Sequence, residues 1–103
     1  EINAITKACK KLNNHELTGC VLYTTTEPCP MCFSAIHWAK IDHIIYGTSI
    51  KDVKTLGFNE LSISSEQLKK LGGLELKLDS GFMLRECEDL LKAWDSLPTQ
   101  QVY

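Results

Sequence analysis

The sequence predicts an α/β fold, a layered β-sheet flanked by helices. Three observations predict it. Helical and strand patterns alternate in the order helix, strand, helix, strand, and then strand and helix. A hydrophobic share of 44% against 23% charged residues matches an ordinary folded chain. At 103 residues the chain can fill one core but not two, so one domain over residues 1–103 is expected.

Each element has its own signal. Ile2, Ile5, Cys9 and Leu12 recur at steps of three and four, one apolar stripe of a first helix, with Lys7, Lys10 and Lys11 off it. Asn13, Asn14 and Gly19 supply stop and turn chemistry. Cys20 to Thr26 is rich in β-branched and aromatic residues and predicts a buried strand that ends at Glu27-Pro28. Pro30 suits the first turn of a second helix, where a missing N–H costs nothing, and Met31 to Lys40 continues it. His43 to Tyr46 predicts the next strand, closed by Gly47. Lys51 to Glu60 reads as a short helix and a loop, and Ser65 to Leu71 as a helix stopped by Gly72-Gly73. Leu74 to Leu78 alternates with period two and predicts a half-buried strand. Leu84, Cys87, Leu91 and Trp94 mark the stripe of a last helix, ended by Pro98 and followed by a tail, Thr99 to Tyr103.

Composition excludes several functions. Eleven Lys+Arg against thirteen Asp+Glu give a charge of −2, which argues against a chain held to phosphate backbones by a basic field. No apolar run approaches the ~20 residues of a membrane helix. Glu1 to Ile5 has neither the basic region nor the apolar stretch of a signal peptide, so a cytoplasmic location is expected. Five cysteines, an odd count with one C-x-x-C, then point to metal or redox chemistry before a disulfide framework.

That pair lies in Thr26-Glu27-Pro28-Cys29-Pro30-Met31-Cys32, between a strand and a helix. Cys29 and Cys32 are three apart, so both sulfurs fall on one side of the first helical turn. The helix dipole and the free N–H groups there favour thiolate. Two thiolates can hold Zn²⁺, which needs about four ligands. Buried structural cysteines are a second reading of the pair. A closed zinc ribbon would need another C-x-x-C, and Cys9, Cys20 and Cys87 stand alone. A thioredoxin-like redox site shares the layout but places a cis-proline before a later strand; Pro28, Pro30 and Pro98 do not sit there.

P-C-x-x-C after a strand resembles half of the signature of the zinc-dependent cytidine/deoxycytidylate deaminase superfamily, H-x-E…P-C-x-x-C. Glu1-Ile2-Asn3-Ala4-Ile5 is similar to that superfamily's H-A-E helix entered at its Glu. The resemblance implies a cytidine-deaminase-like layered fold with a mixed β-sheet, whose N-terminal strands are missing from this chain. It implies Glu1 as general acid/base and Cys29 and Cys32 as ligands of Zn²⁺. The third ligand, a histidine two residues before Glu1, is absent, so an N-terminally incomplete domain, inactive alone, is expected. His15, His37 and His43 are expected to be surface or packing residues rather than stand-in ligands.

Within the superfamily the chain most resembles the bacterial-type guanine deaminases. Glu27-Pro28-Cys29-Pro30-Met31-Cys32-Phe33-Ser34-Ala35-Ile36-His37-Trp38-Ala39-Lys40 is similar to their run E-P-C-P-M-C-x-x-A-I-Y-W-A-R. Gly57-Phe58-Asn59-Glu60 stands where they carry G-F-D-D, and Ala93-Trp94 lead to a terminal Tyr103 as their last helix does. This likeness implies Trp38 as an aromatic wall for a purine and Glu60 as a contact for its amino or ring N–H groups. It implies that the tail 99–103, with Tyr103, caps the site of a partner subunit in a homodimer. The plainer readings are a helix core residue, a solvated loop carboxylate and a frayed terminus. Trp94 is read as core, and Asp52 has no assigned role. The implied reaction is hydrolysis of guanine to xanthine and ammonia, with no membrane or nucleic-acid partner. Deaminases of tRNA adenosine, cytosine or deoxycytidylate are alternatives, as is a non-catalytic zinc or thiol-redox module.

Overall fold

A computed structural model describes residues 1–103. The elements are α1 (Ile2–Leu12), β1 (Val21–Thr26), α2 (Pro30–Trp38), β2 (His43–Thr48), α3 (Ile50–Lys54), α4 (Ser65–Gly72), β3 (Lys77–Asp79) and α5 (Leu84–Asp95). The strands form one sheet in the order β1-β2-β3. Val21 aligns with His43 and runs through to Thr26 opposite Thr48; His43 aligns with Lys77 on the other side. Both pairings are parallel, so these three strands do not themselves supply the mixed character expected of the sheet.

The core fills one face of that sheet. Leu22 of β1 and Ile44 and Tyr46 of β2 pack with Phe33 and Ile36 of α2, together with Leu17, Ala39, Ile41 and Leu76. Ile5, Ala8 and Cys9 of α1 close over this cluster. Of the predicted stripe, Ile5 and Cys9 reach the core, while Ile2 and Leu12 at the two ends of the helix stay exposed. Asn13 stops the helix in a left-handed conformation at φ 49°. The other face takes α5. Its Cys87 lies so close to Gly47 of β2 that a Cβ added there would fall 2.3 Å from the sulfur. Only glycine lets the helix settle at that distance. Cys87, Leu91 and Trp94 are half-buried on this side, while Leu84, at the helix start, is exposed.

The third strand begins later than its alternation predicts, at Lys77 rather than Leu74. Gly73 ends α4 in a left-handed turn at φ 64°, and the Leu74 N–H donates to the Lys69 carbonyl at 3.0 Å. The helix end thus claims the backbone of Leu74. Its side chain packs beside the core and Leu76 is buried, so the period-two pattern is partly a pattern of loop packing.

Parallel strands with helices after them bring helix starts together beyond the strand ends. There Glu27, the residue after β1, is buried with 6% of its surface exposed. Its Oε2 accepts the Ile50 N–H at the start of α3 at 2.9 Å, and its Oε1 accepts the Ser65 N–H at the start of α4 at 2.6 Å. One carboxylate therefore ties two helix starts, whose dipoles favour negative charge, to the end of β1. Asp52 gains a role from the same region. It completes the capping box of α3, with Ser49 N–H donating to Asp52 Oδ2 at 2.7 Å, as Gln67 does with Ser64 for α4. No helix is long and apolar enough to cross a membrane.

Candidate active site

Beyond the ends of β1 and β2 lies a cavity of about 380 Å³. Glu1, Cys29, Cys32, Phe58, Glu60 and Tyr103 all reach its wall, with Met31, Ile50 and Val53 supplying apolar surface. Cys29 is the N-cap of α2 with extended backbone, and Pro30 follows as the first helical residue. That geometry leaves Cys29 half-buried at the cavity and turns Cys32, one helical turn on, inward to 6% exposure. Glu1 stands at the N-cap position of α1 across from them, its side chain free of the helix end. Thr24 of β1 donates from Oγ1 to Glu1 Oε1 at 2.9 Å, which orients the carboxylate. Neither the strand pattern nor the motif marks Thr24 for this task.

The thiol of Cys32 is pushed up to about 12, first by burial, then by its hydrogen bond with Cys29 and by the negative charge of Glu1. A buried thiol whose negative charge is disfavoured beside a second sulfur and a carboxylate is a setting that a cation would relieve. Cys29 and Cys32 fit two of zinc's four positions. The chain brings no third ligand beside them: no group of three His, Cys, Asp or Glu side chains is arranged to hold a metal ion. His43 is engaged elsewhere, 2.6 Å from Asp79 at the sheet's far strand. His37 lies on the exposed side of α2 beside Trp38.

On the opposite wall the tail folds back onto the loop 57–60. Asn59 N–H donates to the Tyr103 carbonyl at 2.9 Å, and the Tyr103 hydroxyl donates to Glu60 Oε1. Phe58 meets the Tyr103 ring edge-on at 5.1 Å and lies against Trp94 of α5 at 4.8 Å. Within the single chain Tyr103 thus lines the same cavity as Glu1, Cys29 and Cys32. Trp94 is half-buried against Phe58 rather than in the core cluster.

The Tyr103 phenol is pushed up to about 12, first by its hydrogen bond to Glu60, then by burial, then by nearby negative charge. The folded chain holds this proton more tightly than the unfolded chain, whose phenol titrates near 10. The contact is therefore fully present below pH 10 and is lost as pH rises through about 12. Tyrosinate absorbance, taken as the difference between the parent and Tyr103→Phe, should place this titration near 12. A midpoint at the ordinary value would mean the Tyr103–Glu60 contact does not hold in solution.

Trp38 does not line this cavity. It is 78% exposed at the end of α2 and borders a separate shallow depression with Ser34, His37, Leu68 and Leu74. The helix explains the separation. Six residues past Cys32, Trp38 is rotated about 240° from it and raised about 9 Å along the axis. Phe58, which the sequence reading left without a role, is the aromatic ring that joins Tyr103 at the wall. Its only sequence signal is its position inside the Gly-Phe-x-acid run.

Comparison with known proteins gives this geometry a family. Residues 1–82 match the MafB19-like deaminase family. The chain belongs to that family. Among its relatives, this MafB19-like deaminase is 44% identical over 66 residues to the guanine deaminase of Bacillus subtilis (strain 168), covering 64% of this chain and 42% of that one. It is 34% identical over 92 residues to the tRNA-specific adenosine deaminase of Buchnera aphidicola subsp. Schizaphis graminum, covering 88% of this chain and 57% of that one. The solved structure of a guanine deaminase from Nitrosomonas europaea superposes with a TM-score of 0.82 at 27% identity, covering 93% of this chain and 56% of that one. The fold is therefore cytidine-deaminase-like, and the likeness to guanine deaminases read from residues 27–40 agrees with these matches. The chain spans about half the length of the relatives it matches.

Proposed function

We propose that residues 1–103 form one domain of a zinc-dependent hydrolytic deaminase acting on a nucleobase, with guanine the substrate and xanthine and ammonia the products. The observation that carries this reading is the meeting of Glu1, Cys29, Cys32 and Glu60 in one cavity. The guanine deaminases among the relatives support the choice of base, and the charge of −2 speaks against a tRNA substrate. The tRNA-specific adenosine deaminases among the relatives make tRNA adenosine the second reading. Cys29 and Cys32 would hold zinc with a histidine outside this chain, placed two residues before Glu1. Bound zinc supplies hydroxide at neutral pH by lowering the pKa of water toward ~7.

The chain's own residues handle protons and binding. The carboxylate of Glu1, oriented by Thr24, takes the proton of the attacking water. It delivers that proton to a ring nitrogen as the C–O bond forms. It then passes the proton of the added hydroxyl to the amine, so that the exocyclic C–N bond breaks, ammonia leaves and a carbonyl remains. Glu60 accepts hydrogen bonds from the amino and ring N–H groups of the base and assists this transfer. The tail 99–103 closes the site, and a homodimer that exchanges its tails would present Tyr103 to the partner's Glu60 through the contacts it makes here within one chain. The setting we infer is cytoplasmic, in keeping with five cysteines that form no disulfide.

The test is ammonia release by the zinc-loaded full-length protein offered guanine, guanosine, adenine, cytosine, deoxycytidylate and tRNA. Guanine should give the highest kcat/KM. Preference for adenosine within tRNA would move the assignment to the second reading.

A further inference from the structure

We propose that Phe58 is the platform on which a planar heterocyclic base stacks in the cavity, with Trp94 as its positioning residue. The proposal rests on the deaminase reading above and deepens it. The cavity wall carries two aromatic rings, Phe58 and Tyr103. Tyr103 is a poor platform. It is 72% exposed, and its hydroxyl is engaged with Glu60. Phe58 is held from several sides. Gly57 before it takes a left-handed conformation at φ +94°, open to glycine and costly for other residues, and so turns the chain after α3. Trp94 lies against the Phe58 ring at 4.8 Å with 35° between planes, and Tyr103 braces it at 62°. Trp94 is not part of the cavity wall, so any effect it has on a base passes through Phe58.

The placement suits recognition of a flat base by face and edge together. Phe58 offers a ring to the face of the base, and Glu60, two residues on, offers a carboxylate to its N–H edge. Aromatic stacking tolerates any base, while the carboxylate selects those that present donors. A ring already held by Trp94 loses little conformational freedom when a base lands on it.

The experiment compares Phe58→Leu, Phe58→Tyr, Trp94→Leu and Trp94→Phe in the zinc-loaded full-length protein. Two quantities are read: the equilibrium dissociation constant for xanthine, which is not turned over, and the kinetic constants for guanine. Phe58→Leu should weaken xanthine binding about ten-fold and raise KM alike, with kcat changed by less than about two-fold. Phe58→Tyr should bind as the parent does. Trp94→Leu should raise KM by a smaller factor, and Trp94→Phe should restore it. The Phe58→Leu effect should persist in a Tyr103→Ala background, which separates stacking from docking of the tail. Parent-like xanthine binding by Phe58→Leu, or loss of its effect in that background, would overturn the proposal. A parent that binds xanthine yet releases no ammonia from any base would overturn the deaminase reading instead.

Discussion

Replacing Glu1 by Ala in the full-length protein should lower kcat for base hydrolysis by about 10²- to 10⁴-fold, the usual contribution of a positioned proton carrier. The reason is local. Glu1 is the carboxylate that the structure places at the cavity beside both cysteines, and Thr24 fixes one of its oxygens from the neighbouring strand. Alanine removes the group that would carry a proton from water to the base and its leaving amine, and nothing else on that wall is placed to replace it. Glu60 stands on the opposite wall, where its part is to hold the base and assist a transfer that Glu1 begins. The variant should keep its zinc content, because the carboxylate is assigned no ligand role. Glu1→Gln should fail to the same degree, since an amide keeps the shape but takes no proton at neutral pH. Turnover within a few-fold of the parent would remove Glu1 from the chemistry.

The largest effect on stability is expected at Glu27. Its two carboxylate oxygens accept the backbone N–H groups of Ile50 and Ser65, both buried. Glu27→Ala leaves those two donors without acceptors in a space that water does not readily fill. At about 1–3 kcal/mol for each stranded group, the loss is about 2–6 kcal/mol. Glu27→Gln keeps one carbonyl oxygen and should cost less, though its amide then faces one backbone N–H with a donor of its own. Urea unfolding should show a lower midpoint with an unchanged slope for the alanine variant. Because α3 brings Ile50 and Val53 to the cavity, that variant should also raise KM. A change under about 0.5 kcal/mol, the range of neutral surface substitutions, would mean the two helix starts are not tied through this carboxylate.

Much of this was legible in the residues themselves. The middle of the α1 stripe and Pro30 at the head of α2 each state a local preference that the fold obeys. The β-branched run of β1 forms its strand, though not the buried one expected: β1 stands at the end of the strand order and only Leu22 in it is buried. Glu1, Cys29 and Cys32 stood out because their chemistry needs those types at that spacing. What local pattern could not reveal depends on contacts across the chain. Glu27 reads as one letter of a motif, yet its partners lie 23 and 38 residues away. Phe58 is an ordinary aromatic until Trp94 and Tyr103 fold back on it from the far end. Trp38 stood in the right motif, but the turn of its helix carries it to another surface. Leu74 alternates like a strand, and the end of α4 takes its N–H first.

The most direct test strips the full-length protein of metal, returns zinc stepwise and measures ammonia released from guanine. Ammonia release should rise with zinc and level off near one metal per chain, about the stoichiometry of a single four-ligand site. It should stay at background in Cys29→Ser. Undiminished turnover in the stripped protein, or none from any base at full loading, would contradict a zinc deaminase centred on Glu1, Cys29 and Cys32.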